Sequence, residues 1–372
     1  LMMRVLILTQ QYPKEADIYR NGFVHTRVKR YLNETSDNYE VFVLNNRNNK
    51  YVYEQVNVQE GTADKLREIL DNKTYDKIII HFLTWQMIPV LIEEKFIKIK
   101  KLIWVHGYEA LSWKRRMFNI FSSDFIKYIY YNELQLRYYR KYLSYDTNST
   151  FVFVSEWMKN IAEKDIKAKF SNYEILPNGI DTKKFNFLPK QHLRKNILMI
   201  RPFNSRKYAT DIACKALELL SNEKNFSEYS ITIVGEGQYF EKDTRIISQY
   251  DNVHLINRFL TSDEIVQLHS ENGIFLCPTR QDAQGVSMCE AMSSGLVAVA
   301  SNNTAIPEFV DDGLNGLLCK NANDICSAII KISNDYTSFD NISRNARKRI
   351  LEKCDLNEIV WRELKLIDGE NK

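Results

Sequence analysis

The chain of 372 residues is poor in several features that mark whole protein classes. No apolar run approaches the roughly 20 residues of a membrane-spanning helix. The longest, from Lys77 to Val90, is broken by His81, Thr84, Gln86 and Pro89. The VLIL run that follows Arg4 is short and passes into QQYPK without a small-residue cleavage site, so no leader peptide is expected. These absences point to a cytoplasmic protein. The six cysteines begin only at Cys214, and none form C-x-x-C, which makes a disulfide framework or zinc site unexpected and reduced core thiols the better reading. G-x-x-x-x-G-K-[ST] is absent, and Val234–Lys242 has G-x-G without a third glycine. Neither a P-loop nor a dinucleotide fingerprint is present. D-x-D is missing too, so no metal is expected.

What is present is a globular composition, 44% apolar and 26% charged, at a length suited to about two domains. Short apolar runs alternate with amphipathic stretches, the pattern of stacked βαβ units on a parallel sheet. In the first half the spacing predicts strands over Arg4–Thr9, Glu40–Leu44, Lys77–Phe82, Leu102–Val105 and Phe151–Val154, with helices over Gly22–Glu34 and Arg115–Tyr142. In the second half it predicts strands over Ile197–Ile200, Ser230–Val234, Val253–Ile256, Gly273–Cys277 and Val297–Ala300. Each half reads as an α/β, doubly wound, Rossmann-like domain, with a polar joint near Asp181–Gln191. The expected division is 1–185, 186–354 and a C-terminal helix over 355–372 that packs back on the first domain. Two such domains imply ligands held at strand ends in a cleft between them. Charge is uneven: residues 1–180 carry 27 basic against 21 acidic side chains, residues 181–372 carry 24 against 26.

The segment Cys277–Gly316, CPTRQDAQGVSMCEAMSSGLVAVASNNTAIPEFVDDGLNG, concentrates the chemistry. It reads as a buried strand, a polar loop ending at Gly285, a helix beginning near Val286 and ending at Gly295, and a second strand. A glycine at a helix start lets backbone N–H groups, here of Val286 and Ser287, approach phosphate oxygens. Glu290, one turn in, is suited to accept hydrogen bonds from a ribose diol.

The spacing Asp282-x7-Glu290, followed by E-A-M-S-S-G-L and I-P-E-F-V-x-D-G-x-N-G, resembles the retaining glycosyltransferases of family 4, which have the GT-B fold: two Rossmann-like domains whose parallel sheets face a cleft. The resemblance implies that Glu290 contacts the donor ribose and Asp282 the hydroxyls of the transferred sugar. The family pair is usually Glu-x7-Glu within E-G-F-G; here it is D-A-Q-G, which leaves donor-sugar identity open. It further implies a diphosphate clamp from Arg201 and Lys207, with Arg206 as a near substitute, and a role for Gly285, Val286 and Ser287 at the phosphates. Gly235, in V-G-E-G, matches the turn beside the nucleotide, and Arg258 with Phe259 matches the loop that meets the base. In the first half His106, in W-V-H-G, matches the histidine near the transferred sugar. Gly22 matches the remnant of a glycine-rich loop facing the phosphates. Leu176–Asp181, L-P-N-G-I-D, resembles the family's interdomain turn.

The resemblance thus implies a hexosyltransferase moving sugar from a nucleotide-sugar, UDP favoured, to a saccharide or lipid-linked acceptor in surface polysaccharide or glycoconjugate synthesis, with no cofactor beyond the donor. Retention would proceed by front-face substitution, the protein supplying position and charge. The basic, aromatic stretch Ser112–Tyr142 suits contact with an anionic membrane, placing the protein peripherally on the cytoplasmic face. Nucleic acid is not an expected partner. A GT-B epimerase or phosphorylase, and a non-catalytic nucleotide-sugar-binding protein, share the fold and stay open at this point.

Overall fold

The computed structural model describes residues 2–15, 21–119 and 124–369. Among these, 2–117, 124–176 and 360–369 make one compact unit, and 118–119 with 177–359 the other. The unit boundary thus falls at Leu176–Pro177, before the polar stretch that the sequence marks as the joint.

The N-terminal unit is built on an eight-stranded sheet: β1 (Arg4–Thr9), β2 (Asn38–Leu44), β3 (Asn49–Tyr53), β4 (Val56–Gly61), β5 (Lys77–His81), β6 (Lys100–Val105), β7 (Ser149–Phe153) and β8 (Tyr173–Ile175). Their order is β3-β4-β2-β1-β5-β6-β7-β8, with every pairing parallel except β3 with β4. Central strands buried on both faces need apolar residues at consecutive positions. Ile78, Ile79 and Ile80 of β5 are all fully buried. The β3–β4 hairpin is absent from the sequence reading. Its two-residue loop is Glu54-Gln55, both with positive φ (43° and 72°), where Asn-Gly would have signalled the turn. The expected helix over Arg115–Tyr142 is not continuous. A 3-10 turn covers Trp113–Asn119 and an α-helix runs Phe125–Leu143; the intervening 120–123 lie outside the described residues. Asn132 holds the two together, its Oδ1 accepting from Trp113 N and its Nδ2 donating to Leu111 O, both at 2.8 Å. Residues 360–369 of the Leu356–Asp368 helix complete this unit. There Glu363, 2% exposed, accepts from Arg27 Nε at 3.1 Å and Tyr31 Oη at 2.6 Å.

The C-terminal unit is a six-stranded parallel sheet: β9 (Asn196–Ile200), β10 (Ser230–Val234), β11 (Val253–Ile256), β12 (Ile274–Cys277), β13 (Val297–Ser301) and β14 (Leu317–Cys319), in the order β11-β10-β9-β12-β13-β14. This is the doubly wound order, first strand central and the chain reversing direction across the sheet between β9 and β12. Residues such as Ile197, Leu217, Ile231, Ile274, Val299 and Ile329 close one core on a helix-covered face. The cysteines lie in this unit, all six buried as free thiols. No helix among the described residues is long and apolar enough to cross a membrane.

Candidate active site

In a doubly wound sheet, ligands bind outside the carboxyl ends of the strands where the order reverses. In the C-terminal unit that point lies between β9 and β12. Arg201 follows β9 and is 5% exposed, with Nη2 donating to Cys277 O (3.0 Å) and Pro278 O (2.8 Å). The guanidinium therefore ties together the two strand ends flanking the switch point. Its Nε is buried without a hydrogen-bond partner among the described residues. Arg206 is committed elsewhere: Nη1 reaches both oxygens of the buried Asp243 at 2.9 and 2.8 Å, and the guanidinium lies 3.8 Å from the Tyr239 ring centroid. That buried pair corrects the expectation that Arg206 could substitute for its neighbour at the diphosphate. Lys207 is half-buried, its ammonium 5.4 Å from the Tyr208 ring, while its carbonyl accepts from Arg280 N and Thr279 Oγ1. The clamp loop and the loop after β12 are thus laced to each other.

Gly235 follows β10 for steric reasons. A Cβ there would stand 1.9 Å from Arg201 O, and one at Gly237, φ +145°, 2.3 Å from the Phe203 carbonyl carbon. Only glycine lets these two loops cross so closely. Arg258 and Phe259 sit on the loop after β11. Arg258 pairs with Glu264 at 2.7 Å, and Phe259 is 63% exposed, an unusual level for an aromatic ring.

Asp282 and Glu290 sit in contrasting environments. Asp282 Oδ1 accepts from Gly285 N (2.8 Å) and Gln284 N (3.1 Å), and its own N–H donates to Thr304 Oγ1. This carboxylate shapes the turn that starts the Val286–Ser293 helix. Gly285, φ +78°, takes the left-handed conformation at the helix start. With the Gly285 N–H taken by Asp282, the next donors, of Val286 and Ser287, are those that every helix start leaves unpaired within the helix; Val286 is exposed and Ser287 half-exposed. One turn on, the Glu290 carboxylate makes no hydrogen bond or ion pair among the described residues. Burial raises its pKa to about 7, with Lys184 acting weakly the other way. Glu290 is thus an acid desolvated by burial, with no hydrogen-bond or ion-pair partner among the described residues.

In the N-terminal unit His106 directly follows β6. Its Nε2 is 3.0 Å from Nδ1 of the fully buried His81, the two rings stacked with centroids 5.3 Å apart. Phe82, whose φ is +64°, covers the same ring at 4.3 Å, and Phe23 approaches edge-on at 5.0 Å. Burial, with the Arg27 charge second, lowers the His106 pKa to about 3. The imidazole is therefore neutral at pH 7. Gly22 opens the Gly22–Glu34 helix that also carries Phe23.

Three participants escaped the sequence reading. Glu109, fully buried, accepts from His106 N (2.6 Å) and Gly107 N (2.9 Å) and so fixes the strand end; burial raises its pKa to about 7. His81 supports the His106 ring. Gln284, 2% exposed, accepts from Asn178 N (2.7 Å) and donates to Asn178 O (3.0 Å). It thereby anchors the P-N-G turn to the loop carrying Asp282, which explains a glutamine in D-A-Q-G. Among the described residues no group of three His, Cys, Asp or Glu side chains could hold a metal ion.

Residues 194–335, most of the C-terminal unit, match the family described as Glycosyl transferases group 1. An uncharacterized glycosyltransferase of Methanocaldococcus jannaschii is 23% identical over 304 residues, 77% of this chain and 75% of that one. The amylovoran biosynthesis glycosyltransferase AmsK of Erwinia amylovora is 26% identical over 200 residues, so the match spans about half of each protein, 50% and 48%. Among solved structures, sucrose-phosphate synthase from Thermosynechococcus elongatus superposes with a TM-score of 0.73 at 14% identity, covering 99% of this chain and 98% of that one. The Anabaena protein HepE in complex with UDP and glucose gives 0.71 at 16% identity, covering 99% and 100%. The fold is that of the GT-B glycosyltransferases.

Proposed function

We propose that the chain is a GT-B glycosyltransferase that moves a hexosyl group from a UDP-sugar, with retention and without a divalent metal, to a saccharide or lipid-linked saccharide acceptor. The observation that carries this reading is Glu290: a carboxylate raised to about 7 by burial, one turn inside a glycine-started helix, without a partner among the described residues. A vicinal diol supplies two hydroxyl donors to such an acceptor. HepE, similar in fold, is a protein solved with UDP and with UDP-glucose, which favours uridine as the base.

In this reading the Val286–Ser293 helix start and Lys207 meet the diphosphate. Charge grows on that group as the anomeric C–O bond breaks, so fixed positive ends there stabilise the transition state more than the ground state. They do the work a divalent ion does in enzymes with a D-x-D motif. The acceptor hydroxyl attacks the anomeric carbon from the leaving-group face, and its proton passes to the departing phosphate oxygen. No protein nucleophile is required. Asp282 offers its remaining oxygen to the hydroxyls of the transferred sugar. The exposed aromatic and basic side chains of Phe125–Leu143, among them Tyr130 at 66% and Tyr131 at 45%, support contact with an anionic membrane surface near a lipid-linked acceptor.

The test is a donor-hydrolysis and transfer assay with UDP-sugars in the presence of a chelator, the product anomer being read by proton NMR. An α-linked product from an α-linked donor, formed at an undiminished rate with chelator, agrees with the reading. Inverted product or abolished turnover overturns its stereochemical or metal arm.

A further inference from the structure

The switch point of the C-terminal sheet is braced by arginines from both sides. Arg201 reaches from the end of β9 to the carbonyls of Cys277 and Pro278. Arg280, on the loop after β12, reaches back the other way. Its backbone N–H donates to Lys207 O at 2.8 Å, and its Nη1 donates to Arg206 O at 2.7 Å. Those two carbonyls belong to the peptide groups on either side of the Lys207 Cα. Each peptide group is planar, so holding both fixes the direction in which the Lys207 side chain leaves the loop.

The guanidinium of Arg280 is itself held. Nη1 and Nη2 donate to Asp211 Oδ1 and Oδ2, each at 2.8 Å, a two-point fork that sets the plane of the group. Asp211 stands in the first turn of the Thr210–Leu220 helix. Beside it, Thr210 Oγ1 donates to the buried Asp243 at 2.6 Å. The loop between needs such restraint. Ala209, fully buried, has φ +50°, a left-handed conformation that a residue with a Cβ keeps only where its surroundings impose it. The Arg280 and Asp211 side chains are 31% and 37% exposed, and a half-exposed ion pair adds little to global stability. What the pair does act on is the backbone of Lys207.

We propose that Arg280 and Asp211 are a positioning pair that aims Lys207 at the diphosphate of the donor. The proposal rests on the reading that Lys207 meets that diphosphate, and it gives an acidic side chain a part in binding an anion. The two readings of Asp211 differ in sign. Coulomb attraction alone makes its removal strengthen UDP binding, because one negative charge leaves the neighbourhood. Positioning makes its removal weaken UDP binding, because the guanidinium loses its plane and releases Arg206 O.

The experiment uses the full chain with UDP and uridine as probes, their affinities measured by titration and saturation-transfer NMR. It compares the parent with Asp211→Asn, Arg280→Gln, Lys207→Ala and the double variant Lys207→Ala, Arg280→Gln, with melting curves in parallel. Asp211→Asn and Arg280→Gln are each expected to weaken UDP binding about five- to tenfold, the scale of one charge-assisted bond. Uridine, which has no diphosphate, binds all variants alike. Melting temperature falls by no more than about 3 °C, as for loss of a half-exposed pair. Adding Arg280→Gln to Lys207→Ala costs less than about a further twofold, because both act through one contact. Unchanged or tighter UDP binding by Asp211→Asn overturns the proposal, and this near-isosteric change decides the matter even where Arg280→Gln folds poorly. A full further loss in the double variant also overturns it, since Arg280 would then meet the phosphates itself. Uridine affinity that falls in step with UDP makes the pair a support of the whole unit and overturns its positioning role. UDP binding left at the parent value by Lys207→Ala defeats the diphosphate reading beneath, and the proposal with it.

Discussion

Nε2 of His106 lies 3.0 Å from Nδ1 of His81, so one imidazole donates and the other accepts across two adjacent strand ends. Burial drives both pKa values down, His106 to about 3 and His81 well below its ordinary value. A fixed neutral pair can hold one tautomer, and with it the direction in which the outer ring offers a proton or a lone pair. If His106 meets the transferred sugar, His106→Ala lowers kcat by roughly tenfold or more, the loss of a buried hydrogen bond, while UDP affinity stays within about twofold. His81→Phe keeps the stack but frees the tautomer, and is expected to lower kcat less. A fall in melting temperature with unchanged kcat in both variants would make the pair structural.

The same pair sets an acid limb to stability. The unfolded histidines protonate near pH 6.5 and the folded ones only far below. The unfolded state therefore binds more protons in between, and stability falls as pH drops from about 6.5 toward 3. Glu109 and Glu290 act oppositely, being raised to about 7. Their contribution is full below the unfolded value near 4.5 and is lost as pH rises through 7. Melting curves across pH 4 to 8 should show His106→Asn flattening the acid limb and Glu109→Gln flattening the neutral one.

Glu290 carries a further pH signature. A carboxylate accepts two hydroxyl bonds better than a carboxylic acid does, so UDP-glucose affinity should rise as pH passes upward through about 7. UDP-glucose has no ionisation of its own in that range. Glu290→Gln should bind more weakly and show a flat profile by calorimetry. A profile unchanged by that substitution removes Glu290 from the donor site.

Asp282 can be separated into its two roles. Asp282→Ala removes the oxygen that accepts from Gly285 N and Gln284 N, and is expected to cost about 1 kcal/mol of stability, as for a lost helix cap. Asp282→Asn keeps that acceptor, so stability should return nearly to the parent value. If the carboxylate also meets the sugar, transfer remains impaired in Asp282→Asn. Full activity there would leave Asp282 as a turn former only.

Arg206 and Lys207 are adjacent but should respond differently. Arg206→Ala breaks a buried pair with Asp243 and is expected to cost about 3–5 kcal/mol, read as a large drop in melting temperature. Lys207→Ala should leave melting nearly unchanged and weaken UDP binding by roughly tenfold, the scale of one charge-assisted bond. The reverse pattern would reassign the clamp.

Much of the scaffold was legible in the chain itself. The Gly22–Glu34 helix and the strands Arg4–Thr9, Ser230–Val234 and Val253–Ile256 fall at the residues where the apolar pattern puts them. Period and burial are local properties of consecutive residues, and a parallel strand buried on both faces announces itself. The sequence also determined the candidates at the strand ends, because glycine, acid and base types at fixed spacing constrain what a loop can hold. Tertiary structure decided what those candidates touch. It turned Arg201 inward to two carbonyls of another strand, spent Arg206 on Asp243, and gave one Asp282 oxygen to its own turn. It also exposed Glu109, His81 and Gln284, whose partners include groups 25 and 106 positions away in the chain for the latter two. A side chain's ionisation and free valence depend on neighbours delivered by sheet order and loop crossing, and these are set by the whole fold rather than by any window of residues.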